Sequence, residues 1–247
     1  MMTSPNLPVY LASLCAILYE SEEVLAEALD GDGFENVRVV SHEDITAAFA
    51  VGVLDGQRVN LVVVEGSDSV ADWTRYNLKT PMTQLPVGGV HGGFCEATVA
   101  FAYLWRAWIE TLAPDDRVNP YVITGHSLGG AIAQVFAGTF GNEASQEAGL
   151  HIRRVITFGQ PRVGDKPWAE NYNRWFGGVT TRYVYRHDIV TTLPPYLHGY
   201  RHAGREVLLE SSKFAWLLWS VASVFPKLLT RRMDHNIDNY VRALAVH

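Results

Sequence analysis

The sequence predicts an α/β protein with a mainly parallel central sheet and helices on both of its faces. Short β-rich runs alternate with helical segments along most of the chain, an order typical of parallel sheets. The 247 residues are 48% hydrophobic and only 19% charged, so a large core can be buried and intrinsic disorder is excluded. No repeat or linker interrupts the chain, so residues 1–247 are expected to form a single domain.

The individual elements follow from periodicity and from turn signals. Leucines at helical spacing in the first 31 residues predict one amphipathic helix, or two short helices broken near Ser21. Asp55-Gly56 lies between two apolar runs and favours the tight turn of a β-hairpin. The remaining predictions, in chain order, are a strand at Val37–Ser41, hairpin strands at Ala47–Leu54 and Arg58–Val64, a helix at Phe94–Leu112, a strand at Tyr121–Thr124, a helix at Leu128–Phe140, a strand at Val155–Phe158, a helix at Lys166–Trp175, strands at Arg182–Tyr185 and Glu206–Glu210, and a helix at Asn236–Leu244.

Charge and cysteine content exclude several classes of function. The net charge is −6, and none of the 20 lysines and arginines precedes Arg38, which argues against a basic groove for nucleic acid. Cys15 and Cys95 are predicted to be buried free thiols, with one disulfide between them as the alternative. No Cys/His cluster has zinc spacing and no glycine-rich loop suits a phosphate, so no metal and no cofactor are expected.

The sequence also bears on where the protein works. Val9–Tyr19 is apolar, but no basic residue precedes it and acidic residues follow it, unlike a signal peptide. No apolar run reaches the roughly 18–20 residues of a membrane span. The chain is therefore expected to be soluble and cytoplasmic by default, or secreted if a leader has been removed.

A nucleophile motif stands in the middle of the chain. Residues 120–130 read P-Y-V-I-T-G-H-S-L-G-G, in which 125–129 fit G-x-S-x-G. A β-branched run precedes the motif and a small-residue helix follows, which is the strand–turn–helix setting of a nucleophile elbow. The glycines allow a sharp turn that presents Ser127 above the sheet, with a helix N-terminus beneath a developing oxyanion. Ser127 is the candidate nucleophile; a helix-capping serine is the alternative.

A serine hydroxyl is a weak nucleophile, so a base and an orienting acid are needed nearby. In proteins with such an elbow they follow in the order serine, acid, histidine. Asp188 follows the second strand after the nucleophile strand, where the acid usually lies, whereas Asp165 is interpreted as a helix cap. His235 lies beyond the last predicted strand, where the base belongs, and His202 is the second candidate. The alternatives are a surface salt bridge for Asp188 and a plain surface histidine for His235.

Seven motifs in order resemble the class 3 lipase family, the fungal-lipase-like α/β-hydrolases. They are V-V-E-G-S-D-S-V-A-D-W at 63–73, V-H-G-G-F at 90–94, T-G-H-S-L-G-G at 124–130, T-F-G-Q-P-R-V-G-D at 157–165, D-I-V-x-x-L-P-P at 188–195, G-Y-x-H at 199–202 and D-H-x-x-x-x-Y at 234–240. Two positions depart from the family, which usually has arginine at Glu65 and proline at Thr191. The cysteine bridges common in secreted fungal members are not evident.

The resemblance implies an α/β-hydrolase fold and a set of roles. It implies Ser127 as nucleophile, Asp188 as acid and His235 as base. It also implies an oxyanion hole formed by the backbone N–H of Leu128 and by Ser67.

Two further segments are expected to meet the substrate. The resemblance implies a short helical lid over residues 68–82, in which Trp73 would cover the site when closed and contact lipid when open. Phe214–Leu229 is apolar on all sides, so it is either a core helix or a functional segment, namely an acyl-chain wall or an interfacial docking surface. In the second interpretation Trp216 and Trp219 are the amphipathic anchors.

These observations lead to a cofactor-free serine hydrolase that cleaves acylglycerols as the expected function. Its expected partners are a lipid or ester substrate and, transiently, a lipid–water interface. A phospholipase A1 and an aryl-ester esterase are the alternatives within the same fold. A non-catalytic hydrolase-like binding module is the alternative outside enzymes.

Overall fold

Seven strands form the central sheet of the computed structural model, which describes residues 7–42, 44–66, 81–141, 150–209 and 234–246. The strands are β1 (Glu35–His42), β2 (Ile45–Leu54), β3 (Gln57–Val64), β6 (Tyr121–His126), β7 (Ile152–Phe158), β8 (Thr180–Tyr185) and β9 (Arg205–Leu209), and β4 (Met82–Leu85) and β5 (Gly88–His91) pair separately. Across the sheet the order is β1-β2-β3-β6-β7-β8-β9. The pairs from β3 to β9 are parallel and the first two pairs are antiparallel. The predicted fold class, α/β with a mainly parallel sheet, is confirmed.

Helices lie on both faces of this sheet. They are α1 (Leu7–Glu20), α2 (Glu22–Gly31), α3 (Gly92–Ile109), α4 (Pro114–Arg117), α5 (Leu128–Phe140), α6 (Lys166–Phe176) and α7 (Ile237–Ala245). Alternate residues of β2 enter two separate apolar clusters, Phe49 on one face and Ala48 on the other. The first cluster packs against α3, α5 and α6, and the second against α1, α2 and α7. Each face of the sheet is therefore covered.

The structure contains the hairpin turn predicted at Asp55-Gly56 and the helix break predicted near Ser21. Asp55 and Gly56 both have positive φ, 49° and 73°, and join β2 to β3, as a tight hairpin turn requires. Ser21 separates α1 from α2, because its hydroxyl accepts a hydrogen bond from the N–H of Val24 and caps the second helix. Residues 7–31 therefore form two helices.

Other elements differ from the sequence expectation. The β4–β5 hairpin was not predicted, since each strand has only four residues and β5 begins with two glycines. Met82, expected at the end of the lid helix, is the first residue of β4. Both cysteines are free as predicted, but only Cys15 is fully buried, whereas Cys95 is partly buried. Among the described residues, no helix combines the length and apolarity that crossing a membrane requires.

Candidate active site

Ser127 stands on a sharp turn between β6 and α5. Its backbone has φ 56° and ψ −123°, a left-handed conformation that is rare for residues other than glycine. The backbone around this turn is closely packed, which explains why Gly125 and Gly129 flank the serine. A Cβ on Gly125 would lie 2.4 Å from the carbonyl carbon of Gly129, and one on Gly129 would lie 2.1 Å from the carbonyl oxygen of Val64. This is the strand–turn–helix geometry of a nucleophile elbow.

A continuous hydrogen-bonded chain links the serine to an acid. The Oγ of Ser127 lies 2.8 Å from Nε2 of His235, and Nδ1 of His235 lies 2.7 Å from Oδ2 of Asp188. The three residues are 3%, 3% and 1% exposed. A buried carboxylate accepts from Nδ1–H, which leaves the Nε2 lone pair facing the serine hydroxyl. The arrangement can remove the proton of Ser127 and hold the resulting imidazolium.

Asp188 has two further donors. The hydroxyl of Tyr240 donates to Oδ2 at 2.6 Å, and the N–H of Val190 donates to Oδ1 at 2.9 Å. Burial and the neighbouring carboxylate raise the pKa of Tyr240 well above its ordinary value, so this phenol stays a neutral donor. No role was assigned to Tyr240 from the sequence, although it closes the same D-H-x-x-x-x-Y motif as His235.

The other two candidates from the sequence make hydrogen bonds outside this chain of contacts. Asp165 caps α6, as predicted, by accepting from the N–H of Trp168 at 2.9 Å, and it also accepts from the N–H of Gly89 at 2.9 Å. His202 has Nε2 at 2.8 Å from the carbonyl oxygen of Thr191. Burial lowers the pKa of His202 to about 3, so its ring is neutral and donates Nε2–H to that carbonyl. It supports the loop that follows Asp188.

One of the two expected oxyanion-hole residues, Leu128, lies among the described residues. Leu128 begins α5, and the N–H groups of a first helical turn have no partner within their helix. The strand end after β3 lies against Ser127, because a Cβ on Gly66 would lie 3.0 Å from the Cβ of Ser127. Several predicted site residues lie outside the described residues: Ser67, Trp73, Trp216, Trp219 and positions 68–80 of the expected lid. Among the described residues, no group of three or more His, Cys, Asp or Glu side chains is placed to hold a metal ion.

Comparison with known proteins assigns the family. The family model described as lipase (class 3) matches residues 61–198, more than half of the 247-residue chain. The chain belongs to the class 3 lipase family. The matched span contains the turn with Ser127 and the loop with Asp188, while His235 and Tyr240 follow it along the chain.

Individual members of the family agree with this assignment. The chain is 35% identical over 159 residues to the secreted mono- and diacylglycerol lipase 1 of Fusarium solani, covering 63% of this chain and 46% of that protein. It is 34% identical over 170 residues to a lipase of Rhizomucor miehei, covering 66% and 44%. The chain therefore spans less than half the length of these two relatives. A solved structure of the Rhizomucor miehei triacylglyceride lipase superposes with a TM-score of 0.68 at 25% identity, covering 93% of this chain and 92% of that one.

Proposed function

We propose that this chain is a serine carboxylic ester hydrolase that cleaves acylglycerols through an acyl-enzyme intermediate. The observation that carries the proposal is the buried hydrogen-bonded chain from Ser127 through His235 to Asp188. Membership of the class 3 lipase family supports it. The two relatives are a mono- and diacylglycerol lipase and a lipase, which favours acylglycerols among the possible esters.

In the proposed reaction Oγ of Ser127 attacks the ester carbonyl carbon while Nε2 of His235 takes the hydroxyl proton. Asp188 stabilises the imidazolium that forms. The carbonyl oxygen becomes an oxyanion, which accepts hydrogen bonds from the N–H of Leu128 and, in our proposal, from Ser67. The C–O bond to the alcohol then breaks, and His235 returns its proton to the departing alcohol oxygen. Water repeats the sequence on the acyl-enzyme and releases the fatty acid.

We propose that two further segments, one before and one after Ser127 in the sequence, take part in substrate capture. We assign a lid to residues 68–80, ahead of β4, with Trp73 as its apolar side chain over the site. We assign Trp216 and Trp219 to an acyl-chain or interfacial surface. The support is the amphipathic composition of the first segment and the uniformly apolar composition of the second. If such a lid exists, the rate of hydrolysis should rise when the concentration of a short-chain ester exceeds its solubility limit. This rise should be smaller in Trp73→Ala.

Replacement of the nucleophile tests the proposed chemistry. Ser127→Ala should lower ester hydrolysis by about 10⁴-fold or more, because it removes the attacking hydroxyl. p-Nitrophenyl butyrate serves as the substrate, and a fluorophosphonate probe should label the wild-type protein and not the variant. Labelling that survives in folded Ser127→Ala would place the nucleophile elsewhere. A wild-type protein inert towards both reagents would favour a binding module.

A substrate panel tests the proposed specificity. Emulsified triacylglycerol, diacylglycerol, a phospholipid and an aryl ester are compared at matched acyl length. Acylglycerols should be hydrolysed fastest by kcat/KM. A higher value for release of the sn-1 acyl chain of the phospholipid would instead identify a phospholipase A1, and a preference for the aryl ester would identify an esterase.

A further inference from the structure

A buried histidine directly before the nucleophile contacts the main chain of the catalytic base. His126 is 4% exposed, and its Nε2 lies 2.8 Å from the backbone carbonyl oxygen of His235. The two imidazole rings pack with their centroids 4.5 Å apart. On its other side, Nδ1 of His126 lies 3.0 Å from the hydroxyl of Tyr19, near the end of α1. His126 therefore joins the nucleophile strand, the base and the first helix.

One arrangement of protons satisfies all of these contacts. A carbonyl oxygen only accepts, so Nε2 of His126 must carry the hydrogen. Burial and the neighbouring His235 hold the pKa of His126 well below 6.5, so the ring is neutral. Its Nδ1 then has a lone pair, which accepts from the hydroxyl of Tyr19. The phenol thus selects the tautomer in which His126 can donate to the catalytic loop.

We infer that His126 is a positioning residue for the base His235, and that Tyr19 sets the tautomer in which it acts. This inference rests on the proposed function. Asp188 holds only Nδ1 of the catalytic ring, so the ring could still pivot about that contact if its backbone moved. The hydrogen bond from His126 fixes the carbonyl of His235. Because His126 immediately precedes Ser127 on the chain, the same element sets the position of both reacting groups.

The neutral state of His126 also suits the chemistry. During the reaction His235 becomes an imidazolium, and a second positive charge 4.5 Å away would oppose it in a buried site. A neutral ring supplies the same hydrogen bond without that repulsion. Leaving the carbonyl of His235 without a donor would bury an unsatisfied polar group. The loop would then shift to find another partner.

A series of variants at position 126 tests the inference. His126→Phe keeps a ring and removes the donor, and it should lower kcat on p-nitrophenyl butyrate about 10- to 100-fold, the cost of a misplaced catalytic group. KM should not change, since the inferred role of His126 is to position His235 and not to bind substrate. His126→Gln should recover most of kcat, because its amide can donate to the carbonyl of His235 and accept from Tyr19. His151→Gln, at an exposed histidine, is the matched control and should behave as wild type.

The partner hydroxyl is tested separately. Tyr19→Phe should lower kcat by a smaller factor than His126→Phe. The imidazole of His126 remains in this variant, but no hydroxyl selects its tautomer. Tyr103→Phe, at a tyrosine that is 68% exposed, is its control. Active-site titration with a fluorophosphonate corrects each kcat for the folded fraction, and thermal unfolding is recorded alongside.

Each outcome has one interpretation. If wild type and Ser127→Ala are equally inactive, the proposed function fails. If wild type is active, Ser127→Ala is inactive and titrated His126→Phe retains wild-type kcat, the positioning role is overturned. A change confined to KM, or a folded His126→Gln as slow as His126→Phe, overturns it as well. Should His126→Phe not fold, an unchanged kcat in Tyr19→Phe together with a slow, folded His126→Gln would overturn the inference.

Discussion

Replacing the buried acid by its amide is the sharpest test of how the site works. In Asp188, Oδ2 accepts from His235 and Tyr240, and Oδ1 accepts from the N–H of Val190. An asparagine offers one acceptor and one NH₂ group, so either orientation sets a donor against a donor. With the NH₂ group at the Oδ2 position, the imidazole must accept at Nδ1 and carry its proton on Nε2. That tautomer cannot take the proton of Ser127.

The size of the loss follows from that tautomer. In a serine protease with a serine–histidine–aspartate site, the equivalent amide substitution lowers kcat by about 10⁴-fold. At about 1.36 kcal/mol for each factor of ten, this corresponds to roughly 5 kcal/mol of transition-state stabilisation. KM for a short-chain ester should change little, because Asp188 is buried behind His235 and is not argued to touch substrate.

Asp165→Asn provides the matched control. Asp165 also accepts hydrogen bonds from two backbone N–H groups, but both contacts belong to the cap of α6 and the β5 segment. Asparagine caps helices about as well as aspartate, so the expected loss is one hydrogen bond, about 0.5–1.5 kcal/mol of unfolding free energy. Its kcat should stay within about threefold of wild type. Hydrolysis of p-nitrophenyl butyrate and thermal unfolding are measured for both variants. A folded Asp165→Asn that loses more activity than a folded Asp188→Asn would refute the assignment of the acid.

Three further predictions concern the groups around the acid and base. His235→Ala should lose nearly all activity, whereas His202→Ala should lower Tm and keep most of kcat; equal activity of His235→Ala and wild type would contradict the assigned base. Tyr240→Phe should lower the unfolding free energy by about 1.5–3 kcal/mol, because it removes a hydrogen bond to a carboxylate; denaturant unfolding measures this. Because burial lowers the pKa of both His126 and His202, the unfolded chain binds more protons below about pH 6.5, so Tm should fall as the pH drops towards 3. His202→Gln should reduce that fall, and a Tm independent of pH over this window would contradict the buried neutral state.

Local signals were sufficient for most elements of the fold. The helix predicted at Leu128–Phe140 has those bounds in the structure, since a glycine-rich turn marks its start and small apolar residues continue to its end. The alternation of β-rich runs and helices gave the parallel part of the sheet. The β4–β5 hairpin was not recognised, because four-residue strands are too short to establish a period of two.

In the candidate site, too, some residues are marked by local sequence signals and others are not. Ser127, Asp188 and His235 could be nominated from sequence because each has a recognisable place after a strand, and the structure puts them in hydrogen-bond contact. The contacts of Tyr19 with His126 and of Tyr240 with Asp188 could not. They join residues 107 and 52 positions apart and depend on how α1 and α7 pack against the sheet. No local spacing encodes such packing.

At Ser127, the requirements of stability and of the proposed activity conflict. The left-handed backbone there favours glycine, whereas the proposed reaction needs a serine hydroxyl. An L-residue other than glycine held in that conformation costs on the order of 1–3 kcal/mol, and the surrounding strand and helix must supply it. Glycine has no such cost, so Ser127→Gly should fold more stably than the wild type while lacking the hydroxyl that we propose as the nucleophile. Selection for thermal stability alone would therefore tend to remove that hydroxyl. A library of this protein should be screened for activity and stability together.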